Sequence, residues 1–205
     1  MITNYEELSD MQIDVLREIG NIGAGNAATS LGMLLNDNVN IKLPEVSITD
    51  FNTAMDAVGG PEVMTVGVLL TYHGEANGMI MFLLDMEDAK NITDILVCEG
   101  NEEEGLSEMK LSAIKEIGNI LGSAYVNSIA QITGLNIEIS VPYVAIDMAG
   151  ALLSVPIVEF GAIGDKVLFI NEGFYSSCYE LASEVIMFAE VETLETIMER
   201  LGLGG

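Results

Sequence analysis

The stretch REIGNIGAGNA, residues 17 to 27, recurs in a degraded form as KEIGNILGSAY at residues 115 to 125. Glu18 and Glu116 are 98 residues apart, and the segments DVLREIGNI and SAIKEIGNI align around them without a gap. In both copies an Asn follows the Glu after two residues, and a Pro follows that Asn after 22 more. An internal repeat of this kind predicts two equivalent halves built on one structural plan.

The length and apolar content of the chain fit a single globular domain. Its 205 residues, half of them apolar, are enough for a substantial core. We expect one domain over residues 1–205, built of two repeats at about 8–98 and 107–205. The join lies near CEGNEEEGLSE, where glycines and three consecutive glutamates predict an exposed loop. A weaker echo of the repeat is IMF, at residues 80 to 82 and again at 186 to 188.

Each half is predicted to begin with an amphipathic helix and to continue into strands. Pro44 and Pro142 lie inside β-rich segments, VNIKLPEVSI and LNIEISVPYVAI, where proline is typical of an edge strand or a bulge. The C-terminal VETLETIMERLGLGG has apolar residues at helical spacing. Together these elements predict an α+β fold with approximate twofold internal symmetry. The further predicted strand pairs are VMTVGVLLTY with ANGMIMFLL and ALLSVPIVEF with DKVLFINEGF.

In each copy the Asp or Ser, the Glu and the Asn fall on one side of the predicted helix. With 3.6 residues per turn they lie within about 60° of one another, so each helix should bury its opposite face and present a carboxylate and an amide. The presenting residues are Asp14, Glu18 and Asn21 in the first copy and Ser112, Glu116 and Asn119 in the second. The residues predicted to be buried are Leu16, Gly20, Gly23, Ala27, Leu31 and Leu34, and Ile114, Gly118, Leu121 and Tyr125.

A Glu–Asn stripe has an ordinary explanation and a functional one. A single stripe is typical of any solvated helix face, but two copies in one register favour a site, although duplication also preserves such a pattern passively. Asparagine is neither an acid nor a base near neutral pH, but its amide can orient a water molecule for attack. Glutamate can act as a base or pair with a partner's lysine. Hydrolysis of a phosphoryl group fits these residues, because it depends mainly on positioning and charge neutralisation.

Composition argues against several other kinds of site. Thirty-two acidic and seven basic residues give a net charge of −25, which repels nucleic acid and anionic lipid. Cys98 and Cys178 have neither metal nor redox spacing, and His73 lies in a turn-like segment that indicates a surface role. The charge-free run 117–137 contains too many polar residues for a membrane helix. No leader precedes MITNYEELSD, so we expect a cytoplasmic protein.

The spaced motif resembles the signature of the CheC family of chemotaxis phosphatases: Asp or Ser, three residues, Glu, two residues, Asn, 22 residues, Pro. The resemblance implies a CheC-like fold, with a largely antiparallel sheet and two equivalent motif-bearing helices. A chain with two motifs resembles CheC proper, whereas the shorter CheX relatives carry one motif and dimerise. The matching residues are Asp14, Glu18, Asn21 and Pro44, and Ser112, Glu116, Asn119 and Pro142.

The same resemblance implies dephosphorylation of the phosphoaspartate on CheY-type response regulators. It assigns Asn21 and Asn119 to orientation of the attacking water, and Glu18 and Glu116 to pairing with the regulator's active-site lysine. The regulator brings its own Mg²⁺ and phosphorylated aspartate, so no metal or cofactor is expected on this chain. The supporting motif residues are Asp14, Ser112, Pro44 and Pro142.

A second partner implied by the resemblance is CheD, a receptor-modifying deamidase that some family members bind. The resemblance implies that CheD would bind the segment VAIDMAGALL, residues 144 to 153, with Asp147 as the candidate contact. A buried helix start explains this segment equally well. Some relatives are fused to flagellar switch domains; without such an extension we expect a free cytoplasmic protein.

Two other functions fit part of the sequence. GAGNAA, residues 23 to 28, matches the dinucleotide pattern G-x-G-x-x-A, and Glu45 lies 20 residues beyond Gly25, where a ribose-binding acid is expected. That fingerprint must follow a strand, whereas the preceding residues have helical periodicity, and the second copy replaces the later glycines. The other alternative is a non-catalytic adaptor that binds CheD or a response regulator without hydrolysis.

Overall fold

A computed structural model describes residues 5–42, 44–97, 105–160, 166–175 and 180–204 of the chain. Each half has the same order of elements: a long helix, two short strands, a helix, a β-hairpin and a final helix. The helices are α1 Asp10–Leu35, α2 Phe51–Ala57, α3 Met86–Leu96, α4 Glu108–Thr133, α5 Ala149–Phe160 and α6 Val191–Arg200. The strands are β1 Asn40–Ile41, β2 Glu45–Asp50, β3 Met64–Gly74, β4 Gly78–Asp85, β5 Ile137–Ile139, β6 Tyr143–Met148, β7 Lys166–Tyr175 and β8 Glu180–Ala189.

The two motif helices, α1 and α4, are each 26 residues long and begin at a serine cap. Ser9 forms a capping box, in which its Oγ accepts from the Gln12 amide and its own amide donates to Gln12 Oε1 at 2.9 Å. Ser107 Oγ accepts from the Lys110 amide at 3.3 Å. These bonds satisfy amides that have no partner within the first helical turn. The helices end at left-handed residues, Asn36 and Gly134, so both ends are determined locally.

The strands form one sheet whose four central strands have the order β7, β8, β4, β3. The short strands β1 and β2 share the edge beside β7, and β5 and β6 share the edge beside β3. Every pairing among the described residues is antiparallel. Strands β1 and β2 of the first half pair with β7 of the second, and β5 and β6 of the second pair with β3 of the first. Each half therefore completes the other half's hairpin. Pro44 and Pro142 lie between the short strands at the two edges, which confirms the edge positions predicted for them.

The centre of the sheet carries the IMF echo. Strands β4 and β8 lie side by side, with Ile80 opposite Met187 and Met81 opposite Ile186. The two copies of IMF thus lie side by side and run antiparallel, and an approximate twofold axis passes between them. The predicted internal symmetry is confirmed at this pair of strands.

The sheet is covered on both faces, which explains why its central strands are apolar throughout. Ile80 and Phe82 face the larger core, beneath α1 and α4, whereas Met79 and Met81 face a smaller core beneath α2 and α5. Seven of the eight residues of β4 are buried, as expected for a strand without a solvent-facing side. None of the helices within the described ranges is long and apolar enough to span a membrane.

The prediction of a strand at ALLSVPIVEF, residues 151 to 160, is wrong, because this segment forms most of α5. A short apolar run has no period that separates a buried strand from a buried helix, and in the structure Pro156 lies inside the helix. The helix is held by contacts that lie far away in sequence. The Gly150 amide donates to the Pro61 carbonyl at 2.9 Å, and Leu152 packs against Gly67, where a Cβ would lie 3.0 Å from Leu152 Cδ1. The other predicted strands and the C-terminal helix are confirmed.

Candidate active site

The structure places the presenting residues of both motifs at the helix surface. Asp14, Glu18 and Asn21 are exposed on α1; Ser112 and Glu116 are exposed on α4, and Asn119 is half-buried. The opposite faces are buried, as predicted, except that Leu34 is only partly so. Burial of that face positions each Glu and Asn on an element whose orientation is determined by the core.

The two motif helices pack against each other in antiparallel directions. Ser128 Oγ donates to the Ile19 carbonyl at 3.2 Å, and Gly23 lies against the ring of Tyr125. Since Ile19 lies opposite Ser128, Asn21 lies opposite about residue 126 of α4. At 1.5 Å per residue, Asn119 is therefore roughly 10 Å from Asn21 along the helix axes. The two motifs belong to one packed helix pair.

The glycine that follows Glu-Ile in each motif has a packing role. A Cβ on Gly118 would lie 2.3 Å from Val68 Cγ1 on β3, and a Cβ on Gly20 would lie 3.0 Å from Val46 Cγ2 on β2. The absence of a side chain lets each helix approach the sheet beneath it. The EIG triplet thus combines a surface carboxylate with a close helix–sheet contact.

The dinucleotide interpretation of GAGNAA is wrong, because residues 23 to 28 lie in the middle of α1. A dinucleotide fingerprint needs a strand, a tight turn and a helix N-terminus whose amides are available to phosphate. In this chain Gly23 packs on Tyr125, Ala27 and Ala28 are buried, and the amides belong to a continuous helix.

The second motif opens into a groove of about 690 Å³. All four of its residues line this groove, so the structure brings the late proline to the helix residues that precede it in sequence. The groove combines polar groups with apolar walls, and both halves contribute to it, since Leu34 comes from the end of α1. The lining residues are Leu34, Leu96, Val97, Met109, Ser112, Ala113, Lys115, Glu116, Asn119, Ile139, Ser140, Val141 and Pro142.

The first motif differs in its charge arrangement. Arg17, the residue before Glu18, contacts Asp14, with 2.9 Å between Nη1 and Oδ1, and its Nε donates to the Val46 carbonyl at 3.3 Å. Pro44 is half-buried immediately before β2. In the second motif Lys115 and Ser112 take the places of Arg17 and Asp14. This basic residue was not predicted as part of the site, although a basic residue before the Glu in both copies was the available signal.

A buried polar pair lies beneath the motif helices. Tyr125 on α4 donates its hydroxyl hydrogen to the Glu172 carboxylate on β7, and both residues are almost fully buried. Burial, and secondarily the Glu172 charge, raise the pKa of Tyr125 well above its usual value, so the phenol remains a donor. This bond anchors the middle of α4 to the central sheet.

Other residues singled out in the sequence lie away from the groove. Asp147 is exposed on β6, opposite Thr65, and α5 begins two residues later at the buried Ala149. His73 lies on β3 rather than in a turn, and it is exposed as predicted, with its Nε2 3.5 Å from Glu138 Oε2. Cys98, Cys178 and the three glutamates of the predicted join lie outside the described residues.

Comparisons with known proteins agree with the motif and the fold. The CheC-like family model matches residues 11–48 and 109–146, two segments that each run from a motif helix past its proline. The chain is 29% identical to the CheY-P phosphatase CheC of Bacillus subtilis, over 97% of both chains. It is also 31% identical to the flagellar motor switch phosphatase FliY of that organism, over 70% of this chain and 38% of the longer relative.

A solved structure shows the same architecture. The crystal structure of FliY from Thermotoga maritima superimposes with a TM-score of 0.72 at 24% identity, over 97% of this chain and all of that one. The predicted α+β fold with duplicated motif helices is confirmed by this match and by the two matched segments. In its two motif segments and along most of its length, the chain is similar to the CheC-like family.

Proposed function

We propose that this chain is a phosphatase that hydrolyses the phosphoaspartate of a CheY-type response regulator. The observation that carries the proposal is the repeated pair of a surface Glu and an Asn, one helical turn apart, on two helices of equal length. The names of the Bacillus subtilis relatives support the substrate class. The groove beside Glu116 and Asn119 offers a surface to which a folded partner can dock.

Asn119, and Asn21 in the other motif, would orient the attacking water. A carboxamide donates and accepts hydrogen bonds without carrying charge, so it can hold a water molecule close to an anionic phosphoryl group without repelling that group. Fixing the water in line with the bond to be broken removes much of the entropic cost of the reaction. Half-burial of Asn119 in the groove wall limits the freedom of its side chain.

Glu116 and Glu18 would pair with the regulator's active-site lysine. Both carboxylates are exposed, so a partner's ammonium group can reach them without any rearrangement of this chain. A charge-assisted hydrogen bond of this kind is directional. It would therefore determine how the phosphorylated aspartate is placed against the Asn three residues further along the helix.

The remaining chemistry belongs to the substrate. Stabilisation of phosphoryl transfer requires charge neutralisation, usually by a metal ion and a cationic side chain. We assign both to the regulator, which carries its own Mg²⁺ and lysine, and no cofactor to this chain. Because such regulators are cytoplasmic signalling domains, the proposal also places this protein in the cytoplasm.

CheD binding is a second candidate function, in which the chain acts as an adaptor. The observation in its favour is a surface along β6 and α5 that combines Asp147 with exposed apolar side chains, including Met148, Val155 and Val158. This surface is separate from the groove-lining residues. An adaptor would bind CheD or a regulator without accelerating phosphate release.

Phosphate release from a Mg²⁺-bound, phosphorylated response-regulator domain tests the proposal. Catalytic amounts of this protein should accelerate release, and the double variant Asn21→Ala, Asn119→Ala should abolish the acceleration while keeping the wild-type circular dichroism and melting temperature. No acceleration by the wild type would favour the adaptor. Full activity of a folded double variant would remove both amides from the mechanism.

A further inference from the structure

The residue before the motif Glu is basic in both copies, Arg17 in one and Lys115 in the other. The chain has only seven basic residues against 32 acidic ones, so two cations in equivalent positions of two motifs form a notable part of its positive charge. The two cations have different surroundings, and this difference is the basis of the inference.

Lys115 lies within the site. It is exposed, it lines the same groove as Glu116 and Asn119, and it precedes Asn119 by four residues, so the two side chains share one helix face. Ser112, three residues earlier on the same face, carries no charge. Within the part of the chain that the structure describes, Lys115 forms no ion pair.

Arg17 is held by its own chain. Its Nη1 lies 2.9 Å from Asp14 Oδ1, and its Nε donates to the Val46 carbonyl at 3.3 Å. An exposed pair of this kind contributes little to stability. It does, however, offset the arginine charge and direct the guanidinium toward Asp14 and β2 rather than toward an incoming partner.

We propose that Lys115 binds an anionic oxygen of the docked phosphoprotein, and that the first motif residue, Ser112 or Asp14, decides whether the cation before Glu is available for this contact. The inference rests on the proposed phosphatase function. In this proposal Lys115 increases the affinity of the second motif for the regulator. Arg17 contributes less to the affinity of the first motif while it is paired with Asp14.

The net charge of the chain gives this contact its physical importance. A molecule of charge −25 repels an anionic partner at long range, but at physiological ionic strength that repulsion is screened beyond about 8 Å. A free ammonium group in the groove acts within that distance, and lysine binds phosphate oxygens as a point charge. Because the contact is present before and during the reaction, it should lower KM more than it raises kcat.

Single-motif variants allow each cation to be tested separately in phosphate-release assays at low and high salt. With Asn21→Ala, which leaves the second motif, Lys115→Ala should raise KM by about twofold to fivefold at low salt, the range for one partly exposed charge contact. The value of kcat should change by less than about twofold, since the reacting groups are untouched. Lys115→Arg should keep KM near the parent value, and Lys90→Ala, an exposed lysine on α3 outside the groove, should leave it unchanged.

Exchange of the first motif residue tests the second part of the inference. Ser112→Asp should raise KM when Lys115 is present and have much less effect in a Lys115→Ala variant, a double-mutant cycle that separates capture of Lys115 from simple added charge. With Asn119→Ala, which leaves the first motif, Asp14→Ser should free Arg17 and lower KM.

The outcomes separate this inference from the function on which it rests. If the wild type accelerates release but Lys115→Ala leaves KM and its salt dependence unchanged, the inference is wrong and the phosphatase function stands. Equal effects of Ser112→Asp with and without Lys115 would overturn the control by the first motif residue. If the wild type gives no acceleration, both fail. Binding of the unphosphorylated regulator identifies the anion that Lys115 contacts. If Lys115→Ala weakens binding of the unphosphorylated and phosphorylated forms equally, the anion is a surface carboxylate and not the phosphoryl group.

Discussion

Gly23 on α1 lies directly against the aromatic ring of Tyr125 on α4: a Cβ at Gly23 would fall 2.4 Å from Tyr125 Cδ1. This contact joins the two motif helices at the centre of their antiparallel packing. Tyr125 in turn donates to the buried Glu172, so one line of contacts connects α1, α4 and the sheet. The relative placement of the two motifs depends on this stack.

Replacement of Gly23 by alanine should destabilise the protein. The added methyl group has no room beside the ring, and overpacking of a core costs about 1–3 kcal/mol of unfolding free energy. Gly25→Ala is the matched control, because a Cβ there meets nothing within 4 Å and gains up to about 1 kcal/mol in helix propensity. Urea unfolding of the two variants should shift in opposite directions. A neutral Gly23→Ala would contradict the close packing of the helices.

Tyr125→Phe tests the buried polar pair while retaining the ring against Gly23. Loss of the hydroxyl donor leaves the Glu172 carboxylate without this hydrogen bond, and such a loss costs about 1–3 kcal/mol in a buried position. Tyr143→Phe removes a hydroxyl from a largely exposed ring and should change the unfolding free energy by less than about 0.5 kcal/mol. Chemical denaturation near pH 7 compares the two, and equal stabilities would show that the Tyr125 bond contributes nothing.

Glu184 on β8 should make stability depend on pH. Burial, followed by the charges of Asp85 and Asp88, raises the pKa of Glu184 to about 7 from a reference value of 4.5. Between these values the folded protein holds a proton that the unfolded chain has lost, so this contribution to stability is complete below pH 4.5 and is lost as pH rises toward 7. Glu184→Gln should flatten the dependence over that window and stabilise the protein at pH 8. Melting temperatures that fall equally with pH in both proteins would exclude Glu184 as the cause.

Val141 tests the groove as a docking surface. This side chain is 74% exposed at the rim of the second motif, so its truncation should leave folding intact. In an Asn21→Ala background, Val141→Ser should raise KM for the phosphorylated regulator by about threefold to tenfold, the effect of losing part of one apolar contact. Val158→Ser, at an 83% exposed position on α5, is the control for loss of a surface valine. If the two substitutions have the same effect, the partner does not bind across this groove.

The parts of the site that could be predicted are those encoded by neighbouring residues. The exposed faces of α1 and α4 follow from helical periodicity around Glu18 and Glu116, and their caps from Ser9 and Ser107. The hairpin of β3 and β4 follows from two successive apolar runs, whereas the true hairpin partner of β7 is β8 and not the predicted segment 151–160. The prediction failed at α5, because its apolar run fits either a strand or a helix. Its helical state depends on contacts with Pro61 and Gly67, which lie more than 80 residues earlier in the chain and outside any local window.

By itself, the sequence determined the duplication, its register and the pairs Glu18–Asn21 and Glu116–Asn119, because spacing along a helix is a local property. Only the tertiary structure decided that each half completes the other half's hairpin, and that Pro142 meets Asn119 in a groove shared with Leu34. It also decided that Arg17 pairs with Asp14, whereas Lys115 forms no ion pair among the residues that the structure describes. These relationships join residues far apart in the chain. They are determined by how two helices and a sheet bury one another's apolar faces, which no local pattern records.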